Sequence, residues 1–182
     1  MEQQWDEMGP FRKGMAWVRL GEQYGVIDTD GNLVVPCEWD DEIVFCEGYA
    51  TVEKDGLCGC MDRNGRMVLL CEWTDVGCFC DGYFKVWKDG KCGLADEKGT
   101  LVAPCVWDSV DTYVYKNRVR VSNGGKYGLL DGKGRVLTSC WWDWMKRRGD
   151  GTVEFGRNAE VYRMDTNGMI TQMTIREFLT SY

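Results

Sequence analysis

Hydrophobic and polar residues alternate in five short stretches that recur along the chain. In each stretch one residue separates two apolar ones, and the apolar pairs are Ala16/Val18, Ala50/Val52, Phe84/Val86, Val119/Val121 and Val153/Phe155. A period of two is typical of a strand that packs one face and exposes the other. The pattern therefore predicts five such strands at nearly equal intervals.

Two further strands are predicted after each of these five. A turn follows the alternating stretch, and a second apolar segment comes next, such as "YGVID" at 24–28 or "CGLAD" at 92–96. Another turn, such as "TDGN" at 29–32, leads to a third segment, "LVVPCEW" at 33–39. Glycine in these turns supplies the positive φ of a tight hairpin. Pro36 and Pro104 predict that the third strand is irregular or lies at a sheet edge.

A frame of Gly-x-x-Asp-x-x-Gly marks the repeat, because its aspartates follow one another at steps of 34, 34, 35 and 34 residues. The fifth copy keeps Asp165 and Gly168. Periods of 20–50 residues are the signature of repeat architectures. An aspartate placed just before a turn is predicted to accept hydrogen bonds from the turn's backbone amides. The predicted structural anchors are Gly25, Asp28, Gly31, Gly59, Asp62, Gly65, Gly93, Asp96, Gly99, Gly128, Asp131 and Gly134, with Trp39, Trp73, Trp107 and Trp142 of a recurring Cys-x-Trp element.

The fold predicted from this repeat is all-β, as a tandem array of five three-strand units in a single domain over residues 1–182. The units are expected at about 11–45, 46–79, 80–114, 115–150 and 151–173. An open twisted solenoid is the first expectation and a closed five-bladed, propeller-like ring is the alternative, since about 34 residues hold three strands more comfortably than four. Thr174 and Glu177 have the spacing of a capping box, which predicts a short helical cap over 174–182.

The segment "EGYATVEKDGLCGCMDRNGRMVLLCEWTD" at 47–75 resembles the bacterial WG-containing repeat family, and the resemblance extends over about residues 11–170. In that family a Trp-Gly pair precedes Leu-Ile-Asp, and a Tyr-Asp pair closes the unit. Two columns depart from this pattern. The tryptophan before glycine is replaced by Tyr24, Cys58, Cys92 and Tyr127, and the later tyrosine by Trp39, Trp73, Trp107 and Trp142. The resemblance implies an all-β repeat array used for binding or assembly, and it brings no catalytic residues.

Charge narrows the expected partners. The chain has 22 basic and 29 acidic residues and a net charge of -7. An acidic surface repels phosphate backbones, so the expected partner is basic rather than acidic and is not nucleic acid. The sequence lacks both the roughly 20-residue apolar run of a membrane span and the pattern of a signal peptide. A cytoplasmic protein without a membrane partner is the resulting expectation.

The cysteines raise the question of a metal site. The chain has ten cysteines and no histidine, and eight of the cysteines recur at repeat columns, where they act as small apolar residues. Cys58/Cys60 and Cys78/Cys80 could each chelate from one strand face, so a metal at these four residues, or disulfides, remains the alternative. The prediction is free and mostly buried thiols with no metal and no cofactor. Without histidine the commonest general base is missing, so no catalytic residue is proposed and the protein is expected not to be an enzyme.

Four tryptophans are candidate binding residues: Trp17, Trp87, Trp141 and Trp144. Trp17 stands in the column of Thr51, Lys85, Arg120 and Glu154, and a large ring where related units carry charge is not needed to build the unit. The alternative is that these rings fill gaps between units. The predicted function is a non-enzymatic scaffold that presents a face to a protein, peptide or small ligand, with an immunity- or sequestration-type role. The alternative function is a carbohydrate- or cell-surface-binding module that uses exposed aromatic rings.

Overall fold

A computed structural model describes residues 5–111 and 118–179, and over these residues the chain consists of β-strands and one short helix. Cα positions divide the chain into two compact units, Met1–Gly90 with Leu94–Leu101, and Lys91–Gly93 with Val102–Tyr182. The predicted boundary at 114/115 lies outside the described residues. Whether the repeats form a solenoid or a ring stays a prediction.

The strands form five antiparallel sheets in chain order. The first sheet comprises β1 (Glu7–Met8), β2 (Met15–Leu20), β3 (Gln23–Asp28) and β4 (Leu33–Trp39), and the second comprises β5 (Tyr49–Lys54), β6 (Leu57–Asp62) and β7 (Met67–Trp73). The third comprises β8 (Asp75–Val76), β9 (Tyr83–Lys88), β10 (Lys91–Asp96) and β11 (Leu101–Trp107). The fourth comprises β12 (Ser109–Val110), β13 (Arg118–Asn123), β14 (Lys126–Asp131) and β15 (Val136–Trp142). The fifth comprises β16 (Trp144–Arg147), β17 (Val153–Arg157), β18 (Glu160–Met164) and β19 (Ile170–Met173).

The prediction of an all-β array of five units with three strands each is confirmed. Four of the sheets carry in addition a short strand that the sequence did not predict, and this strand pairs with the first long strand of its sheet. In the third sheet, for example, Asp75 lies opposite Trp87 and Val76 opposite Val86. Three of these four strands have only two residues, too few for alternation to be recognised, and the fourth, β16, has four.

The recurring aspartates organise the turns between the second and third long strands. Asp28 Oδ1 accepts hydrogen bonds of 2.9 Å from the backbone amides of Asp30 and Asn32, while Gly31 adopts a positive φ of 82°. The same carboxylate-to-amide pairs occur at Asp62, Asp96, Asp131 and Asp165. The predicted role of these aspartates is confirmed.

The first glycine of each frame permits a close strand crossing. A Cβ at Gly25 would lie 2.6 Å from the carbonyl oxygen of Val35, so no larger residue fits there. The register between β3 and β4 shifts on both sides of Val26, and β4, which contains Pro36, is an edge strand of its sheet. The predicted irregular edge strand is therefore present. Similar close approaches occur at Gly59, Gly93 and Gly128.

Each compact unit has its own apolar core. In the first unit Trp39 is buried with Val26, Val35, Ile43 and Val52. Trp73 is buried as well, while Trp107 and Trp142 are half-buried, as are the cysteines of the four Cys-x-Trp elements. In the second unit Trp142 stacks on Phe155 with ring centroids 4.9 Å apart. The Cys-x-Trp element is thus a packing element.

The predicted C-terminal cap is present as α1 (Ile175–Leu179). Glu177 Oε2 accepts a hydrogen bond of 2.7 Å from the Thr174 amide, and the Thr174 hydroxyl accepts one of 3.3 Å from the Glu177 amide. This reciprocal pair is the predicted capping box. Residues 180–182 of the predicted cap lie outside the described residues.

Candidate functional site

A cavity of about 280 Å³ lies in the first compact unit beside the second sheet. Strands β5 and β6 supply its floor, the loop that follows β8 forms one wall, and the segment that follows β4 forms its acidic rim. We call it the Thr51 cleft. Its lining residues are Asp41, Glu42, Val44, Cys46, Tyr49, Thr51, Val52, Glu53, Cys58, Cys60, Gly77, Cys78, Phe79 and Phe84.

Small side chains leave this cleft open. The Thr51 hydroxyl donates to the carbonyl oxygen of Val76 at 3.2 Å, which holds the short side chain against the wall. Cys60 replaces the larger aliphatic residues Val26, Leu94 and Leu129 found in the same column of other units. A threonine and a cysteine therefore stand where related units carry bulkier side chains.

The corresponding cleft of the first sheet is narrower because Trp17 occupies it. It measures about 190 Å³, and Trp17 lines it together with Ile43 and Val44. The Trp17 ring is half-buried and lies so close to Gly9 that a Cβ there would be 2.2 Å from the indole Nε1. Trp17 therefore narrows the cleft of the first sheet, at the repeat position where the second sheet has the smaller Thr51.

In the second compact unit the residues at the repeat position of Thr51 are Arg120 and Glu154, and both form ion pairs. Arg120 Nε lies 2.9 Å from Asp111 Oδ2. The buried carboxylate of Glu154 lies 2.6 Å from Arg148 and 2.8 Å from Arg163, and these two cations keep its pKa low although burial alone would raise it.

Three aromatic rings form one wall of the Thr51 cleft. Phe79 lies 4.8 Å from Tyr49 and 4.8 Å from Phe84, and Tyr49 meets Phe84 edge-on at 5.0 Å, all measured between ring centroids. Phe84 is buried, whereas Tyr49 and Phe79 remain partly exposed. The buried ring thus fixes the other two, and the wall is already formed before any ligand enters.

The charge of the cleft is negative. Asp41, Glu42 and Glu53 contribute carboxylates, and none of the described residues that line the cleft is basic. Burial raises the pKa of Cys60 to about 12, and burial followed by the charges of Glu53 and Asp75 raises the pKa of Cys58. These two thiols therefore stay protonated at neutral pH, and the carboxylates supply the charge.

The possible four-cysteine metal site is not assembled. Over the described residues, no three or more cysteine, aspartate or glutamate side chains gather in an arrangement that could hold a metal ion. Cys58, Cys60 and Cys78 line the cleft, whereas Cys80 is exposed and is not part of its lining.

None of the ten cysteines, which all lie within the described residues, forms a disulfide, but the prediction that they are mostly buried is wrong. Only Cys60 and Cys92 are buried, and Cys46, Cys78 and Cys80 are exposed. The cysteines of the Cys-x-Trp elements are half-buried because they lie on edge strands, which have a neighbouring strand on one side only. The exposed three lie outside the long strands.

The four candidate tryptophans lie in four different sheets. The Trp87 ring is half-buried, with the Lys85 ammonium 4.9 Å from its centroid. Trp141, on β15, has 63% of its surface exposed. Trp144 lies over Gly156 and, with Phe178, lines another cavity of about 340 Å³. Their role in binding stays a prediction.

Of the residues that line the Thr51 cleft, the sequence singled out Cys58, Cys60 and Cys78, as possible metal ligands, and did not single out Thr51. The signal for Thr51 is a small residue in a column otherwise occupied by large ones. Thr51 stands among Trp17, Lys85, Arg120 and Glu154, and that contrast was visible in the sequence.

Comparison with protein families gives one match, to the family described as WG containing repeat, over residues 4–24, 24–58, 59–92 and 93–127. A comparison with curated proteins finds no matching relative. Over the described residues, no helix has the length and apolar character needed to cross a membrane.

Solved structures similar to the chain share little sequence with it. A eukaryotic initiation factor is 12% identical with a TM-score of 0.46, and the match covers 91% of this chain and 53% of that one. KlHsv2 with a replaced loop is 8% identical with a TM-score of 0.40, covering 91% and 66%. Regucalcin from Agrobacterium tumefaciens, a calcium-binding protein, is 12% identical with a TM-score of 0.33, covering 88% and 69%. The chain thus spans about half to two thirds of the length of these proteins.

Proposed function

The chain belongs to the WG containing repeat family, and on that premise we propose that it is a non-enzymatic binding scaffold whose ligand site is the Thr51 cleft. The observation that carries this proposal is the difference between two equivalent clefts. With Trp17 in its lining the cleft of the first sheet measures about 190 Å³, whereas with Thr51 and Cys60 that of the second sheet measures about 280 Å³. A partly exposed aromatic wall in a concave site is typical of a ligand site, and the fold does not need the wall to be exposed.

The size of the cleft sets the kind of ligand. Small-molecule sites usually measure roughly 300–1,000 Å³, and a volume of about 280 Å³ falls just below that range. The cleft therefore suits a small ligand or a single side chain of a partner. The surrounding strands are held by the aspartate-capped turns, so little ordering is needed on binding, which favours affinity.

A variant that fills the cleft tests the proposal. Cys60→Leu introduces the residue that Leu94 and Leu129 provide in related units, and Thr51→Leu narrows the cleft from a second side. A metabolite library is screened by thermal shift against the wild type, both variants and Thr29→Leu, an exposed turn residue that serves as the control. Near-ultraviolet circular dichroism confirms that each variant is folded.

The expected result is a set of compounds that stabilise the wild type and Thr29→Leu but neither cleft variant. Compounds that stabilise folded Cys60→Leu and Thr51→Leu as strongly as the wild type would rule out the cleft as the site. A sequestration role in the cytoplasm is the biological setting that we propose for such binding, consistent with a small acidic chain.

A second candidate function is carbohydrate binding through Trp141. The observation that favours it is a ring with 63% of its surface exposed on strand β15, since exposed rings stack on sugars. In that case Trp141→Ala abolishes binding to an oligosaccharide array while Cys60→Leu has no effect. The reverse pattern supports the Thr51 cleft.

A further inference from the structure

We infer that the ligand of the Thr51 cleft is a small organic cation that carries an ammonium group next to an apolar body. This inference rests on the proposed function and names the chemical class of its ligand. Three features of the cleft support it, namely its charge, its aromatic wall and the residues that occupy the same column in related units.

The charge of the cleft selects for a cation. Asp41, Glu42 and Glu53 line it, and the described lining residues include no lysine or arginine that would neutralise them. Carboxylates at the rim of a concave site with apolar walls attract a positive ligand more strongly than carboxylates on a flat surface, because the walls exclude part of the water.

The aromatic wall favours the same class of ligand. Ring faces attract cations within about 6 Å of their centroids, and an ammonium group gains further when it is partly desolvated. Tyr49 and Phe79 are partly exposed at the cleft and are fixed by Phe84. The protonated thiols of Cys58 and Cys60 add a polarizable, uncharged floor suited to the apolar part of the ligand.

In two related units a side chain of the protein itself supplies a positive group at the repeat position of Thr51. The column of Thr51 contains Lys85 in the third unit and Arg120 in the fourth. The Lys85 ammonium lies over the Trp87 ring, and the Arg120 guanidinium is paired with Asp111. In the second unit acids and rings line the cleft and the column has threonine, so a ligand can contribute the positive group.

Four probes that share a benzyl group test the inference: benzyltrimethylammonium, benzylamine, benzyl alcohol and benzoate. Their dissociation constants are measured by NMR titration at low ionic strength. The two cations are expected to bind at least about tenfold more tightly than benzyl alcohol, benzoate is expected not to bind, and added salt is expected to weaken the cations only.

Two variants and one control test whether the cation binds in the cleft. Thr51→Lys reproduces the lysine of the third unit as an internal competitor and is expected to weaken benzylamine binding about tenfold or more. Thr29→Lys makes the same change of charge on an exposed turn and is expected to change it less than about twofold, since distant exposed charges are screened. Glu53→Gln is expected to weaken both cations while leaving benzyl alcohol unchanged.

The outcomes separate this inference from the proposed function. If benzyl alcohol binds as tightly as benzylamine and Cys60→Leu abolishes both, the cleft remains the site and the cationic class is wrong. Equal weakening by Thr51→Lys and Thr29→Lys would overturn the inference as well. If no probe binds and the metabolite screen gives no compound sensitive to Cys60→Leu, both proposals fall.

Discussion

The side-chain carboxylate of Asp40 accepts a hydrogen bond of 2.6 Å from the backbone amide of Asp55. Asp40 directly follows Trp39 of the first sheet, whereas Asp55 lies in the hairpin turn of the second sheet, so this bond fastens one repeat to the next. The same bond joins Asp6 to Gly21, Asp108 to Gly124 and Asp143 to Asn158. In the third sheet the equivalent position is Thr74.

The pKa of Asp108 makes this linkage dependent on pH. The Lys91 ammonium, and after it the Gly124 amide, lower the pKa of Asp108 from 3.8. A carboxylate whose pKa is lowered by folding stabilises the fold above its ordinary pKa, and this contribution disappears as the pH falls through the lowered value. We therefore expect the wild type to exceed Asp108→Asn in stability by a constant amount at neutral pH, with the difference shrinking below about pH 4.

Urea denaturation of both proteins across this pH range measures the effect, with Asp30→Asn, an exposed turn residue, as the control. A stability difference between wild type and Asp108→Asn that persists unchanged at acidic pH would contradict the proposed linkage. Because the Lys91 pair is exposed, part of the difference is also expected to decline with added salt.

Gly9 and Gly77 occupy the same position of the repeat in the first and third sheets, but alanine is expected to destabilise the protein much more at Gly9 than at Gly77. A Cβ at Gly9 would lie 2.2 Å from Trp17 Nε1, whereas one at Gly77 would make an ordinary contact of 3.5 Å with the Trp87 ring. Gly9→Ala is therefore expected to destabilise by about 1–3 kcal/mol, as overpacking does, and Gly77→Ala by much less. Thermal unfolding measures both.

A double variant tests whether the destabilisation by Gly9→Ala comes from contact with the Trp17 ring. Trp17→Thr gives the first sheet a small side chain like that of Thr51. Trp17→Thr is therefore expected to destabilise the Gly9→Ala variant less than it destabilises the wild type. Purely additive effects of the two substitutions would show that the ring does not rest on Gly9.

The sequence predicted the aspartates that bond to their own turn and missed those that bond to a more distant turn. Asp28 and its equivalents were predicted correctly because each precedes a turn at a fixed offset, where local hydrogen bonding decides the conformation. The linkage through Asp40 was missed, although Trp5-Asp6 repeats Trp39-Asp40 at the same 34-residue step. The partner of Asp40 lies 15 residues away on the next sheet, and a sequence period does not specify which turn a side chain reaches.

The site was harder to predict than the fold. The Thr51 cleft exists because some of the side chains that line it are small. Which side chains line it is known only from the fold. Trp17 breaks its column, and Gly9, a neighbour that the column does not reveal, leaves the space in which its ring lies.

The Trp39 indole offers a test of core packing. The buried Nε1 atoms of Trp39, Trp73 and Trp107 have no hydrogen-bond partner among the described residues, whereas Trp142 Nε1 donates to Thr138 Oγ1 at 2.9 Å. Val35 stands four residues before Trp39, as Thr138 stands before Trp142. Val35→Thr is therefore expected to gain a similar bond.

Burying a hydroxyl usually costs stability, so the comparison is made with Val18→Thr, a second fully buried valine in the same compact unit. Val35→Thr is expected to destabilise by about 1 kcal/mol less than Val18→Thr, the usual net value of one hydrogen bond. Equal losses in urea denaturation would show that the hydroxyl introduced by Val35→Thr does not reach the Trp39 indole.

The thiols are expected to react in the order of their exposure and pKa. Iodoacetamide modifies the thiolate, so Cys60, with a pKa raised to about 12, should stay unmodified in the folded protein at pH 8, whereas exposed Cys78 and Cys80 react early. Peptide mass spectrometry after brief labelling, with and without urea, measures this. Labelling of Cys60 in the folded protein as fast as Cys80 would contradict its position in the cleft floor.

The central claim is that the Thr51 cleft is the ligand site, and a two-dimensional ¹H–¹⁵N NMR titration tests it most directly. The labelled protein is titrated with the most strongly stabilising compound of the metabolite screen, and the amide shifts are mapped onto the chain. The account predicts that the largest shifts belong to Thr51, Cys60 and Phe79, and that they vanish in Cys60→Leu. Shifts centred on Trp141, with the amides of the cleft unchanged, would contradict it.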